Sequence, residues 1–326
     1  MKIRELFEEK ERTLLGSYLH NILIDVDTPN KKWNEQFDCS NRSLTSLKYC
    51  PKKIKGTFNC SYNNNLKSLE GMPQEGVLKL YAEECDLTSL EGAPKKISGD
   101  LNCANNKNLL TLKGAPQEGV RALFCDVCNL TSLEGAPLKI NGSFIASDNP
   151  NLKSLKGLPK EGIHDLYLHN CDLTSLEGCP TVIHGEFACS DNKKLSSLKG
   201  MPQEGVSSVY VRGCNLTSLE GIPREIWGEL ICADNPITSL KGIHKIIDEI
   251  RDKIYLPVTI KSNILGLLKI TSLRQIIFLS SDQHKNEDLE KIQAIINNYL
   301  PNPTSSEIID CQNELIEAGF EEYAEL

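Results

Sequence analysis

Leu87-Thr88-Ser89-Leu90-Glu91-Gly92-Ala93-Pro94 is the stretch on which the reading of this chain turns. Near-copies start at Leu44, Leu130, Leu173 and Leu216, at a constant spacing of 43 residues. Looser copies start at Leu66, Leu109, Leu152 and Leu195, and Ile237-Thr238-Ser239-Leu240 closes the series. The unit is therefore 21 or 22 residues in alternation, repeated ten times. Such a period predicts a solenoid, because one short unit cannot bury its apolar face alone and must stack on its neighbours.

The leucine spacing inside the unit is that of a leucine-rich repeat. Each unit opens with a short strand whose inward pairs run Phe37/Cys39, Phe58/Cys60, Leu80/Ala82, Leu101/Cys103, Leu123/Cys125, Phe144/Ala146, Leu166/Leu168, Phe187/Cys189, Val209/Val211 and Leu230/Cys232. Five residues after the first member stands Asn (Asn63, Asn106, Asn149, Asn192, Asn235) or Cys (Cys85, Cys128, Cys171, Cys214), in alternate units. A buried bend leaves backbone groups to satisfy, which an Asn amide can do in its own and the neighbouring unit. Gly71, Gly92, Gly114, Gly135, Gly157, Gly178, Gly200 and Gly221 are expected at positive φ. The prolines two residues later forbid a long helix there. The expected fold is an α/β solenoid: a leucine-rich repeat arc with a parallel concave β-sheet of about ten strands. Its convex side is extended or turn-like, with helical N- and C-terminal caps. A charge ladder, Lys48, Glu70, Glu91, Lys113, Glu134, Lys156, Glu177, Lys199, Glu220 and Lys241, should pair along one edge and cancel.

Three segments follow. Residues 1–35 carry Leu6, Phe7, Leu14, Leu15, Tyr18, Leu19, Ile22 and Leu23 at helical steps, which predicts an N-terminal helical cap. Residues 36–243 are the repeat solenoid. Residues 244–326 lose the pattern and read as a C-terminal capping and helical module. In it, Ser262-Asn263 caps a segment through Ile270, and Leu273 to Leu279 is an apolar run of undecided type. Asn286 starts a helix stopped by Pro301, and Ser305 or Ser306 caps another that ends at Gly319.

The net charge of −8 makes a poor non-specific nucleic-acid binder. No apolar run approaches the length of a membrane span, and the start of the chain lacks a secretory apolar core, so a cytoplasmic protein is expected. Of the thirteen cysteines ten fall on the ladder and inward-strand positions of the repeat, those at Cys85, Cys128, Cys171 and Cys214 lying two strands apart, about 10 Å, beyond disulfide reach. They read as reduced, buried thiols. Cys125-Asp126-Val127-Cys128 has no matching partner pair, so neither a metal nor a cofactor is expected.

The paired repeat LTSLEGAPKKISGDLNCANN and LLTLKGAPQEGV resembles leucine-rich repeat proteins encoded by large tailed bacteriophages. Ile264-Leu265-Gly266-Leu267-Leu268 and the string from Cys311 to Tyr323 resemble a module that recurs at the end of such proteins. The resemblance implies the solenoid, a phage source and hence a host-cell cytoplasm. It implies no defined activity. Leucine-rich repeats generally serve as protein-binding scaffolds, an analogy at the level of fold.

On the concave face the outward residues include an aromatic row, Tyr81, Phe124, Tyr167 and Tyr210, exposed in line. Beside it lie Glu83, Asp126, His169 and Arg212, with Glu84, Asp148, Asp191 and Asp234 further out. Aromatics dominate interface energies, so these eight nearer residues form the candidate site for a partly basic protein partner. The plain alternative is that the aromatics only shield the sheet. The chain is read as a non-enzymatic interaction scaffold, with a virion-packaged or structural phage protein as the second reading. Ile3-Arg4-Glu5 and Leu6-Phe7-Glu8 fit a trimmed capsid-targeting leader for that second case. A thiol enzyme using Cys311 is the third, against which Cys311 among Ile308, Ile309 and Leu315 reads as core.

Overall fold

In this computed structural model, residues 36–48, 50–281 and 286–325 are described, so the expected N-terminal helical cap and leader motif lie outside the described residues. The chain divides into two compact units, residues 1–141 and 142–326. Each contains a parallel β-solenoid. In the first, β1 (Gln36–Asp38), β2 (Lys53–Asn59), β3 (Glu75–Tyr81), β4 (Leu101–Asn102) and β5 (Leu123–Phe124) pair in chain order. In the second, β6 (Phe144–Ile145), β7 (Leu166–Tyr167), β8 (Phe187–Ala188) and β9 (Val209–Tyr210) do the same. They are followed by β11 (Leu230–Ile231), β13 (Lys253–Pro257) and β14 (Gln275–Leu279). A small separate sheet pairs β10 (Glu225–Ile226) with β12 (Glu249–Ile250).

The strands hold only two residues in most turns, yet the inward pairs on either side of them are buried in every repeat. Phe37 and Phe58 stack with centroids 5.6 Å apart and planes 1° from parallel. The leucines of each repeat, such as Leu87 and Leu90, are fully buried behind them.

The Asn ladder forms as its chemistry demands. Asn106 Nδ2 donates to Cys103 O in its own turn and to Ala82 O in the turn before, both at 2.9 Å. Its Oδ1 accepts the Leu87 N–H at 3.1 Å. Asn63, Asn192 and Asn235 make the same three contacts. In the alternate turns the Cys thiol takes over one of these bonds, with Cys85 Sγ donating to Cys60 O at 3.3 Å. The same contact repeats at Cys128, Cys171 and Cys214. Burial pushes Cys128 and Cys232 up to about 12 and Cys171 up to about 11, so these thiols stay protonated.

Two further regularities were not read from the sequence. The hydroxyl two residues before each charged-ladder position accepts that residue's N–H, as Ser89 does for Glu91 at 3.4 Å and Ser175 for Glu177 at 3.0 Å. This local turn is why the leucines are separated by Thr-Ser or a similar pair. The residue just before each Asn or Cys of the buried ladder is left-handed, most often Asn or Asp (Asn105, Asp148, Asn170, Asp191, Asp234). Those residues tolerate that conformation best after glycine. Of the charge ladder, Lys113 meets Glu91 at 3.3 Å, an exposed pair worth well under about 1 kcal/mol.

The C-terminal segment departs from the helical reading. Residues Gln275–Leu279 form β14, which with β13 carries the parallel sheet on past the point where the repeat pattern fails. Ile254, Leu256 and Ile276 supply the inward apolar positions that the lost leucine pattern hid. Ile243–Ile246 is a one-turn helix, α1, and Ile264–Lys269 is a 3₁₀ helix. Asn263 precedes the latter in a left-handed conformation and makes no side-chain cap. Helix α2 (Glu287–Asn297) starts at Asn286, whose side chain accepts the Asp288 and Leu289 N–H groups as expected. Helix α3 (Ser305–Glu317) is capped by Thr304 rather than by a serine, because Thr304 and Glu307 close a reciprocal capping box. No helix among the described residues is long and apolar enough to cross a membrane.

Candidate functional site

The outward strand faces hold the candidate residues. Alternation along a strand turns Tyr81 and Phe124 outward in the first unit and Tyr167 and Tyr210 outward in the second. All four are half-buried, not exposed as the sequence reading had them. The reason is lateral: neighbouring strands are under 5 Å apart, so flanking side chains cover much of each ring.

In the first unit Tyr81 and Phe124 flank Asn102 in register. Glu83 accepts from Asn102 Nδ2 at 3.1 Å and Asn105 Nδ2 at 3.2 Å. Asp126 lies half-buried just beyond β5. One step toward the strand start sits a charge network that sequence reading missed. Arg121 donates Nε and Nη2 to the two oxygens of Asp100, both at 2.9 Å, and Lys79 Nζ lies 3.0 Å from Asp100. Asp100 is 9% exposed, and its bonds to Arg121 and then Lys79 outweigh burial and hold its carboxyl below the usual range. The lowered value means that this stabilisation is full above the unfolded carboxyl pKa near 4 and is lost as pH falls through the folded value. Asp100→Asn is expected to cost about 1–2 kcal/mol at neutral pH. It should also flatten the acid limb of a stability-against-pH curve. Parallel acid limbs for the two proteins would refute this.

In the second unit Tyr167, Ala188 and Tyr210 are register neighbours on β7, β8 and β9. Both tyrosine hydroxyls donate to one carboxylate, Glu186: Tyr167 to Oε2 at 2.7 Å and Tyr210 to Oε1 at 3.5 Å. Ala188, between the two tyrosines in the register, is fully buried. Burial and then Glu186 push both phenols up, keeping them protonated donors. The His169 ring lies 6.1 Å from that of Tyr167, and burial lowers its pKa, favouring neutral imidazole. Arg212 is neutralised by Asp234 at 2.7 Å, as Lys193 is by Asp191 at 2.7 Å. Asp165 holds Ser143 Oγ and His164 Nδ1, both at 2.9 Å. Ser143 Oγ and His164 Nδ1 meet separate oxygens of that carboxylate.

Glu186, Asp165 and Asp100 precede the strand pairs, whereas the candidate residues read from the sequence lie between and after them. These three acids all stand on the outward position just before the inward pair, a row legible in the sequence. Tyr255 was missed for another reason. It pairs with Ile231 on β13 and donates to Glu229 at 3.4 Å, extending the row beyond the end of the repeat pattern.

Among the described residues no group of three or more His, Cys, Asp and Glu is placed to hold a metal ion. An open groove of about 790 Å³ is lined by Thr174, Ser175, Glu177, Cys179, Lys199 and Gln203. Burial pushes its thiol, Cys179, up to about 12. Gln203 Nε2 is engaged by Met201 O and Gly221 O. Cys311 is fully buried on α3, and burial pushes its thiol up to about 12, which disfavours the thiolate. Compared with known protein families, curated proteins and solved structures, the chain matches none.

Proposed function

We propose that this chain is a non-enzymatic protein-interaction scaffold of the leucine-rich-repeat class, encoded by a phage and working in host cytoplasm. Its partner is a protein that docks on the outward strand faces. The observation that carries this reading is the pair Tyr167 and Tyr210, tied to one carboxylate on rigid strands. Tyrosines locked in this way lose little side-chain entropy on binding, and they offer both apolar area and a hydroxyl. With Arg212 and Lys193 already neutralised by aspartates, Asp165, Glu186 and Glu229 leave this face acidic. That charge favours a basic partner and disfavours a polyanion.

The test is affinity capture from host lysate with wild type, a Tyr167→Ala/Tyr210→Ala variant and a Tyr81→Ala/Phe124→Ala variant, each shown to be folded. A partner is expected to bind wild type and to lose at least about 30-fold in affinity with one of the variants, the effect of removing a hot spot of about 2 kcal/mol. A partner held equally by all three would remove the strand faces from consideration.

A further inference from the structure

Strand β14 pairs in parallel with β13 along one edge, from Gln275 opposite Lys253 to Leu279 opposite Pro257. Alternation points the backbone groups of Ile276 and Phe278 the other way. A strand edge with free N–H and C=O groups is a template for a further strand. Here that edge is occupied by side chains. The Ile276 N–H donates to Asn297 Oδ1 at 2.8 Å, and Asn297 Nδ2 donates back to Ile276 O at 3.0 Å. One residue pair further on, the Phe278 N–H donates to Gln293 Oε1 at 2.8 Å.

The fit has a simple metric basis. Gln293 and Asn297 are four residues apart on α2 and so share one face, about 6 Å apart along the helix axis. Ile276 and Phe278 are two residues apart on a strand, about 6.6 Å. Two carboxamides at helical i,i+4 spacing therefore match two successive outward peptide groups of a strand running the opposite way. The Asn297 amide exchanges both of its bonds with one residue, as the backbone of a neighbouring strand would. Leu289, Ile292 and Ile296, buried on the same helix, hold it against the sheet.

We infer that α2 is a strand surrogate: through Gln293 and Asn297 it fills the pairing edge of β14 and stops a second copy of this chain from adding its own β14 there. The second copy is the occupant the edge fits, because two β14 edges related by a two-fold axis are self-complementary and meet antiparallel. Their Ile276 and Phe278 N–H and C=O groups would then exchange bonds across the join. This stop is independent of what the outward strand faces bind.

The test compares wild type with Gln293→Leu/Asn297→Leu by light scattering over a wide range of protein concentration, and by amide hydrogen exchange. In the variant, the Ile276 and Phe278 amides are expected to exchange at least about 100-fold faster at low concentration, having lost their half-buried partners. Its mass is expected to rise with concentration while wild type keeps the monomer mass. Adding Phe278→Pro, which removes an N–H on the outer edge alone, is expected to return the variant to the wild-type mass. A folded double variant with the mass of wild type overturns the inference, whether or not its amides open. Association that Phe278→Pro does not reverse overturns it too, as does wild type already associating through this edge. If the double variant does not fold, Gln293→Ala/Asn297→Ala serves instead. It removes both acceptors without adding bulk, and the same readouts decide.

Discussion

Asn106→Ala is expected to lower the stability of the chain by about 3–5 kcal/mol. The side chain is fully buried and bridges two turns. Its loss leaves the Leu87 N–H without a partner, and removes one from each of Ala82 O and Cys103 O. Each buried group orphaned in this way costs about 1–3 kcal/mol, and the vacated volume adds to it. Asn102→Ala is the matched control. That residue also forms two hydrogen bonds, to Glu83 and Ala104, but it stands on the outward face where water can replace them. Its loss should cost under about 1 kcal/mol. Urea unfolding of both variants checks the pair, and equal midpoints would refute the account of the ladder. The alternation of Asn with Cys makes the same point. A thiol supplies one donor to the neighbouring turn where Asn supplies donors to two turns and an acceptor besides.

Gly119→Ala should be as severe, by a different route. Gly119 has φ +74, and an added Cβ would stand 1.8 Å from the Ile97 carbonyl oxygen of the turn before. No rotamer relieves a clash made by Cβ with backbone, so the two turns must move apart at the point where they pack. About 1–2 kcal/mol of left-handed strain comes on top, for a total of about 3–5 kcal/mol. Gly319→Ala isolates the strain alone, since Gly319 has φ +84 and no atom within 4 Å of the added carbon. It should lose only about 1 kcal/mol. Thermal unfolding of the two variants separates the contributions. A Gly119→Ala protein as stable as Gly319→Ala would show that the turns have slack. Gly76 and Gly205 stand in the same close approach, against Ile54 and Ile183. None of these three precedes a proline by two residues, so the repeat signature does not mark them.

What could be read without a structure were the features that repeat. The inward pairs, the Asn and Cys ladder and the positive-φ glycines before the prolines all returned at fixed positions, each with a local stereochemical reason. The candidate face was legible to the same depth. Alternation put Tyr81, Phe124, Tyr167 and Tyr210 outward, but said nothing of how their flanks would be covered. That Tyr167 and Tyr210 share Glu186 follows from the strand register, which places residues 19 and 24 positions apart within hydrogen-bond reach.

The sequence by itself determined that this chain stacks, with what period, and which side chains line the core, because burial and backbone geometry act within one unit and are copied in the next. Tertiary structure alone decided where the stacking continues and how its edge is met. The strands β13 and β14 add to the sheet by backbone hydrogen bonds, which any residues with N–H and C=O can make, so they leave no leucine signature. Asn297 meets Ile276 across 21 residues through a helix that is not part of the repeat. Nothing in a periodic pattern specifies the partner of a side chain that occurs once.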